Sequence, residues 1–262
     1  GYNRGRLFIG ICLALVVTAV SFAVIGDILG PLKSTFLLSN YEVGLIGGAA
    51  LWGMAISQVL LGPLADVSMR RLMQLAFVFH VAGLITMISA TGFEGDPAAF
   101  WILFIGAIVI ALGNGITEVA GNPLVTALYP GDKTSMLNKF HVWFPGGIVL
   151  GGLASYLMSN VGLASWELRL GLGFIPAILY GIILLPQPFP HTEGRQAGVS
   201  ISEMFRATFT SPIFLLFLFC MMITASLELG PNRWVPAVLE AGGVPGIPVV
   251  FWISGLIAVR RE

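Results

Sequence analysis

The 262-residue chain is 56% hydrophobic and 10% charged, with 13 basic and 13 acidic side chains cancelling to zero net charge and a mean hydropathy of +0.91. Soluble domains carry about 25% charged residues, so one water-soluble core is excluded, and the neutral balance offers nothing to nucleic acid. Cys12 and Cys220 both fall in apolar runs and read as isolated buried thiols, giving neither a disulfide frame nor a metal site.

Eight apolar spans follow one another at roughly 7–37, 42–65, 72–91, 98–128, 138–160, 165–186, 209–239 and 246–259. A bilayer-spanning helix needs about 20 residues, so the first, fourth and seventh are long enough to tilt or break. The first is too long for a cleavable leader and lacks a small-residue cleavage site. Between the sixth and seventh lies "PQPFPHTEGRQAGVSISEMF", proline-rich and polar, the one plausible linker. The last span has 14 residues and the chain starts with glycine, so the sequence reads as a fragment of a longer membrane protein.

Placing the N-terminus in the cytoplasm puts Arg4, Arg6, Arg70, Arg71, Lys133, Lys139, Arg195, Arg206, Arg260 and Arg261 inside and leaves only Lys33, Arg169 and Arg233 outside. That bias sets the orientation and predicts a multi-pass protein of the cell (inner) membrane.

The first span contains "GDILGPLKSTFL" and the fourth "TEVAGNPLVTAL". With one residue inserted at Asn122, Asp27 matches Glu118, Gly30 matches Gly121 and Pro31 matches Pro123. A third copy in the seventh span, "LELGPNRWVP", carries Glu228, Gly230 and Pro231. Spans one and four run in opposite directions, spans one and seven in the same direction. Nested 3+3 inverted repeats inside six-helix halves are a transporter architecture. The predicted fold is therefore all-α: one complete six-helix transmembrane half at 1–185, a cytoplasmic linker at 186–208, and the first one to two helices of a second half at 209–262.

From Ala98 to Leu128 the only charged side chain is Glu118. A carboxylate at the centre of a membrane helix costs about 2.5–3.5 kcal/mol on insertion scales, so it needs partners or a task. Asn114, Glu118, Asn122 and Thr126 recur every four residues and share one drifting face. Such a stripe must face protein or water, since lipid offers it no partner. Carboxylates and amides exchange hydrogen bonds with hydroxyls, which suits a sugar. A carboxyl in a low-dielectric cavity also holds a proton more readily, so Glu118 can serve as both ligand and proton carrier as solvent access alternates. Asp27 and Glu228 are further candidates, set against plain reach to the outer interface and, for Glu228, pairing with Arg233. Gly147 and Gly151 are read as helix-packing positions, and His141 and Lys139 as solvated helix-end residues. No enzyme signature and no phosphate-binding loop occurs, so ATP-driven transport has no support.

The loop "GPLADVSMRR", with Gly62, Asp66, Arg70 and Arg71, resembles the short cytoplasmic loop motif of the major facilitator superfamily, departing from it at Met69. Within that superfamily, Asp27-Ile-Leu and Glu118-x-x-x-Asn122-Pro123, followed by Leu137-Asn138, resemble the fucose–proton symporter branch. The resemblance covers residues 7–160 best. It implies proton-coupled symport of a sugar or similar small polar solute, with Asp27 and Glu118 tied to proton coupling and sugar binding, and no cofactor. An exporter or antiporter of the same fold is the alternative, disfavoured because the fifth span lacks the Gly-Pro pair of drug antiporters. A truncated non-transporting membrane fragment is the other.

Overall fold

A computed structural model describes the backbone of residues 1–242 and their side chains except those of Asp66, Val67, Glu193, Ile201 and 228–241. The eighth apolar run, 246–259, lies outside the described residues, which are helical with no strand.

The long helices are α1 (Arg4–Phe36), α2 (Asn40–Leu61), α3 (Ala65–Ser89) and α4 (Ala98–Leu128). The fifth span comprises α5 (Lys133–His141) and α6 (Trp143–Asn160), and the sixth α7 (Trp166–Gly171) and α8 (Phe174–Leu184); Val142, Leu172 and Gly173 keep helical φ and ψ, so each span runs on through its junction. Six of these helices or helix pairs are long and apolar enough to cross a membrane. The stretch expected to be a linker is not bare: it holds α9 (Glu193–Gln196) and the start of α10 (Ile201–Thr210), and α10 meets α11 (Pro212–Ala241) at an 80° bend.

Local chemistry sets the helix ends. Asn3 caps α1 by accepting the Arg6 N–H, and Ser39 with Glu42 forms a capping box that starts α2, satisfying donors that a helix start leaves unpaired. Pro31 and Pro123 are absorbed within α1 and α4. In the loop between α2 and α3, Ser68 leaves helical geometry (φ −166°, ψ 96°) and its Oγ accepts the Arg71 N–H at 3.2 Å, restarting α3 as an N-cap.

α1 is the central post. Between Gly10 and Gly26 apolar residues surround it on every face and nearly all are buried. Around it pack α4, α6 and α8, with α2 and α3 clasping α4. Small residues allow the backbones to meet. A Cβ on Gly53 of α2 would lie 2.6 Å from the Ala111 Cβ of α4, and one on Gly147 of α6 would lie 2.6 Å from the Ala19 Cβ of α1. Gly151 likewise faces Val20 of α1, the packing role expected for this pair.

The apolar core falls into two main clusters. One gathers Ile28, Leu32, Ile46, Leu84, Leu103 and Trp166 near one end of the bundle. The other gathers Leu7, Ile11, Leu124, Phe140 and Tyr180 towards the opposite end. Where they meet, a belt of buried polar residues crosses the bundle: Thr18, Ser21, His80, Asn114 and Thr117. Cys12 is buried as expected, whereas Cys220 is exposed, because the described residues leave the outer face of α11 uncovered.

Candidate functional site

α4 carries the chemistry because its 31 residues interrupt an apolar run with amides, hydroxyls and one carboxylate. Successive residues turn by 100°, so a stripe spaced by four drifts around the helix by about 40° per step. The polar positions therefore divide between two environments. Asn114 is 1% exposed and faces into the bundle. Glu118 and Asn122, one and two turns further on, are part-buried and line an open cleft of about 730 Å³.

The cleft is walled by Met54 and Gln58 of α2, Glu118, Val119 and Asn122 of α4, His141 of α5, Phe144 of α6, and Met221 and Ala225 of α11, among others. Its polar groups are coupled. The Asn122 amide donates to Glu118 Oε2 at 3.2 Å and to the Glu118 carbonyl at 3.2 Å. The Asn122 Oδ1 then accepts from His141 Nε2 at 2.9 Å. Because the amide nitrogen is committed to the carboxylate, His141 must carry its proton on Nε2 in this link. A Cβ on Gly121 would meet the Phe140 ring at 2.9 Å, so glycine there lets α5 close on α4 and brings His141 within reach.

His141 was expected to be a solvated helix-end residue. It instead reaches back across the turn at 129–132 to Asn122, nineteen positions earlier. Its one sequence signal is its place a turn beyond Leu137-Asn138, inside the stretch that carries the resemblance.

Asp27 lies elsewhere. Its Oδ2 accepts from Arg169 Nη1 of α7 at 2.8 Å and from Ser155 Oγ of α6 at 2.6 Å. The structure does not bring it to the cleft with Glu118. Arg169 is buried at 6% exposure and its Nε has no hydrogen-bond partner among the described residues. Asn114 belongs to the buried belt. Glu228 sits on α11, but its side chain lies outside the described residues, as does that of Asp66. Gly62 ends α2, and Arg70 and Arg71 are exposed beside it. Arg70 borders a separate cleft of about 300 Å³ with Phe189, His191 and Arg195.

Six apolar spans with a polar cleft held by an intramembrane carboxylate define a multi-pass integral membrane protein built like a transporter, not an enzyme. The chain belongs to the Major Facilitator Superfamily, whose family model matches residues 8–260. It is 25% identical over 242 residues to the cis,cis-muconate transport protein of Acinetobacter baylyi, covering 87% of this chain and 56% of that one. It is 27% identical over 153 residues to the D-xylose transporter of Levilactobacillus brevis, covering 57% of this chain and 32% of that one. Among solved structures, a D-xylose-proton symporter superposes with a TM-score of 0.67 at 16% identity, over 97% of this chain and 66% of that one. The inward-open xylose transporter XylE from E. coli superposes at 0.64 and 17% identity, over 86% and 57%. The chain thus spans little more than half the length of the muconate transport protein.

Proposed function

We propose that this chain forms one wall of the solute path in a proton-coupled symporter for a sugar or a similar small neutral polar solute. The observation that carries the reading is the Glu118 carboxylate on the open cleft, tied through Asn122 to His141. Residues 1–185 make the first six-helix half, 186–208 a cytoplasmic linker, and 209–262 the opening of the second half. Met221 and Ala225 of α11 already reach the cleft, in keeping with a path between two halves. The N-terminus lies in the cytoplasm and the bundle in the cell (inner) membrane.

Charge selects the solute class. The cleft presents one carboxylate, two amides (Asn122 and Gln58), an imidazole and no lysine or arginine among its described lining residues. An anionic solute would meet like charge at Glu118 without a compensating cation, whereas hydroxyls find donors and acceptors side by side. The apolar neighbours Met54, Phe144 and Met221 can cover the carbon face of a sugar ring. This sets D-xylose-like solutes above dicarboxylates, although relatives of both kinds exist. Glu118 carries the proton: neutral it donates to a hydroxyl, ionised it accepts.

The test is uptake into proteoliposomes by the complete two-half transporter that contains this chain, under an inward proton gradient, with D-xylose and cis,cis-muconate as probes. Saturable, gradient-driven D-xylose uptake unaffected by muconate is expected. Gradient-driven muconate uptake with no response to sugars would overturn the neutral-solute reading.

A further inference from the structure

Four helices of the bundle are joined by one string of buried side chains. Tyr180 Oη of α8 lies 3.0 Å from His80 Nδ1 of α3. His80 Nε2 lies 3.1 Å from Asn114 Oδ1 of α4. The Asn114 amide donates to Ser21 Oγ of α1 at 3.1 Å, and the Ser21 hydroxyl donates to the Thr18 carbonyl at 2.8 Å. Tyr180 and His80 are fully buried, and Asn114 and Ser21 nearly so.

Only one assignment of protons satisfies every link. The Thr18 carbonyl can only accept, so Ser21 donates to it and accepts from the Asn114 amide nitrogen. The Asn114 oxygen is then an acceptor, which requires a proton on His80 Nε2. In the neutral imidazole Nδ1 must accept, and the Tyr180 hydroxyl supplies that proton. Every donor points the same way, from α8 to α1, and no charge is needed. Hydrogen-bond chains aligned in this way strengthen one another in a low-dielectric interior.

The string also fits its surroundings sterically. A Cβ on Gly113 would lie 2.6 Å from His80 Cδ2 and 2.9 Å from Nε2. Glycine at 113 therefore leaves the slot into which the imidazole presses against the α4 backbone. Asn114 stands one turn before Glu118 and two before Asn122, so whatever fixes Asn114 fixes the rotation of α4 about its axis. A rotation of α4 would swing Glu118 out of line with the cleft while the string broke.

We propose that His80 is a positioning residue for transport: together with Tyr180, Asn114 and Ser21 it locks the rotation of α4 and so aims Glu118 and Asn122 into the cleft. This rests on the cleft being the solute site, and the test separates the two ideas. Cysteine is placed either at Val119, which lines the cleft, or at Ala120, which is fully buried. The background carries Cys12→Ala and Cys220→Ala, and labelling uses a membrane-impermeant thiol reagent. D-xylose uptake is measured in parallel without the added cysteine.

With His80 intact, position 119 reacts and position 120 does not. In folded His80→Leu, the ratio of the two labelling rates falls by about fivefold or more, the scale of losing one net hydrogen bond, and the KM for D-xylose rises by a similar factor. His80→Gln, which retains a donor and an acceptor, restores both in part. If His80→Leu fails to fold, Tyr180→Phe removes only the terminal hydroxyl and should shift both readouts in the same direction. An unchanged labelling ratio in folded His80→Leu, or in Tyr180→Phe when that variant must be used, overturns the positioning role. A shifted ratio with unchanged D-xylose uptake keeps the lock on α4 but overturns the cleft as the solute site.

Discussion

His141 Nε2 and Asn122 Oδ1 meet at 2.9 Å, bridging α5 and α4 at the point where Asn122 also holds the Glu118 carboxylate. The amide is the hinge of the arrangement. It presents its oxygen to the imidazole and its nitrogen to the carboxylate, so the two side chains are linked without meeting directly.

Truncating His141 should therefore disturb binding more than coupling. His141→Ala frees the Asn122 oxygen and removes a donor from the cleft, a loss of about 1 kcal/mol for one net hydrogen bond. A roughly fivefold rise in the KM for D-xylose is expected, with the ratio of accumulation to proton gradient unchanged. His141→Gln, which keeps a donor of shorter reach, should fall between the two.

The pair of Asp27 and Arg169 predicts an asymmetry. Arg169 is buried and Asp27 is 42% exposed at its side chain. Asp27→Asn removes the counter-charge from a buried guanidinium, so the thermal midpoint should drop by an amount equivalent to about 1–3 kcal/mol. Arg169→Met leaves a carboxylate that keeps Ser155 and reaches water, and should cost less. Equal losses for the two variants, measured by thermal unfolding in detergent, would show that burial of Arg169 is not the controlling term.

Packing between α1 and α6 gives a contrast within one pair of glycines. A Cβ at 147 would press on Ala19, whereas at 146 it meets nothing within 4 Å. Gly147→Ala should destabilise by about 1–3 kcal/mol through overpacking. Gly146→Ala should be neutral or stabilise by up to about 1 kcal/mol, since alanine is the better helix former. The folded fraction recovered after heating distinguishes them.

Much of the fold was legible because membrane helices announce themselves by length and hydropathy. The six described spans begin and end within a few residues of the apolar runs, except at the polar starts of α3 and α5, which begin at Ala65 and Lys133, ahead of the runs at 72 and 138. The junctions at Val142 and between Gly171 and Phe174 lie just ahead of Pro145 and Pro176, whose missing N–H leaves the carbonyls of His141 and Leu172 without their helical partner, a sequence mark that hydropathy alone passes over. Within the site, the lone charge in a long apolar run pointed to Glu118, and the spacing of four pointed to Asn122. The same spacing also brought in Asn114, which helix drift turns inward instead. His80 was open to the argument used for Glu118, being the one titratable group in "LAFVFHVAGLI", yet nothing local names Tyr180, a hundred residues away, as its partner. Asp27 and Arg169 show the same limit: each is visible alone, but their pairing depends on how α1 and α7 dock.

Glu118→Gln is the decisive substitution for proton coupling. Glutamine keeps the length and hydrogen-bonding reach of glutamate and can still bond to Asn122, but its charge cannot change. If Glu118 carries the proton, the variant should lose uphill D-xylose accumulation under an inward proton gradient. Equilibrium exchange of labelled D-xylose should persist within about tenfold of the parent, because exchange needs binding and reorientation but no net proton movement. It should also become insensitive to pH across the range in which the parent responds. A glutamate that only binds solute predicts a raised KM with accumulation intact at saturating D-xylose. One that only holds helices together predicts less folded protein with normal coupling in what remains. Accumulation and exchange measured at several pH values, normalised to folded protein, separate these outcomes, and pH-driven accumulation by Glu118→Gln would remove Glu118 from the proton path.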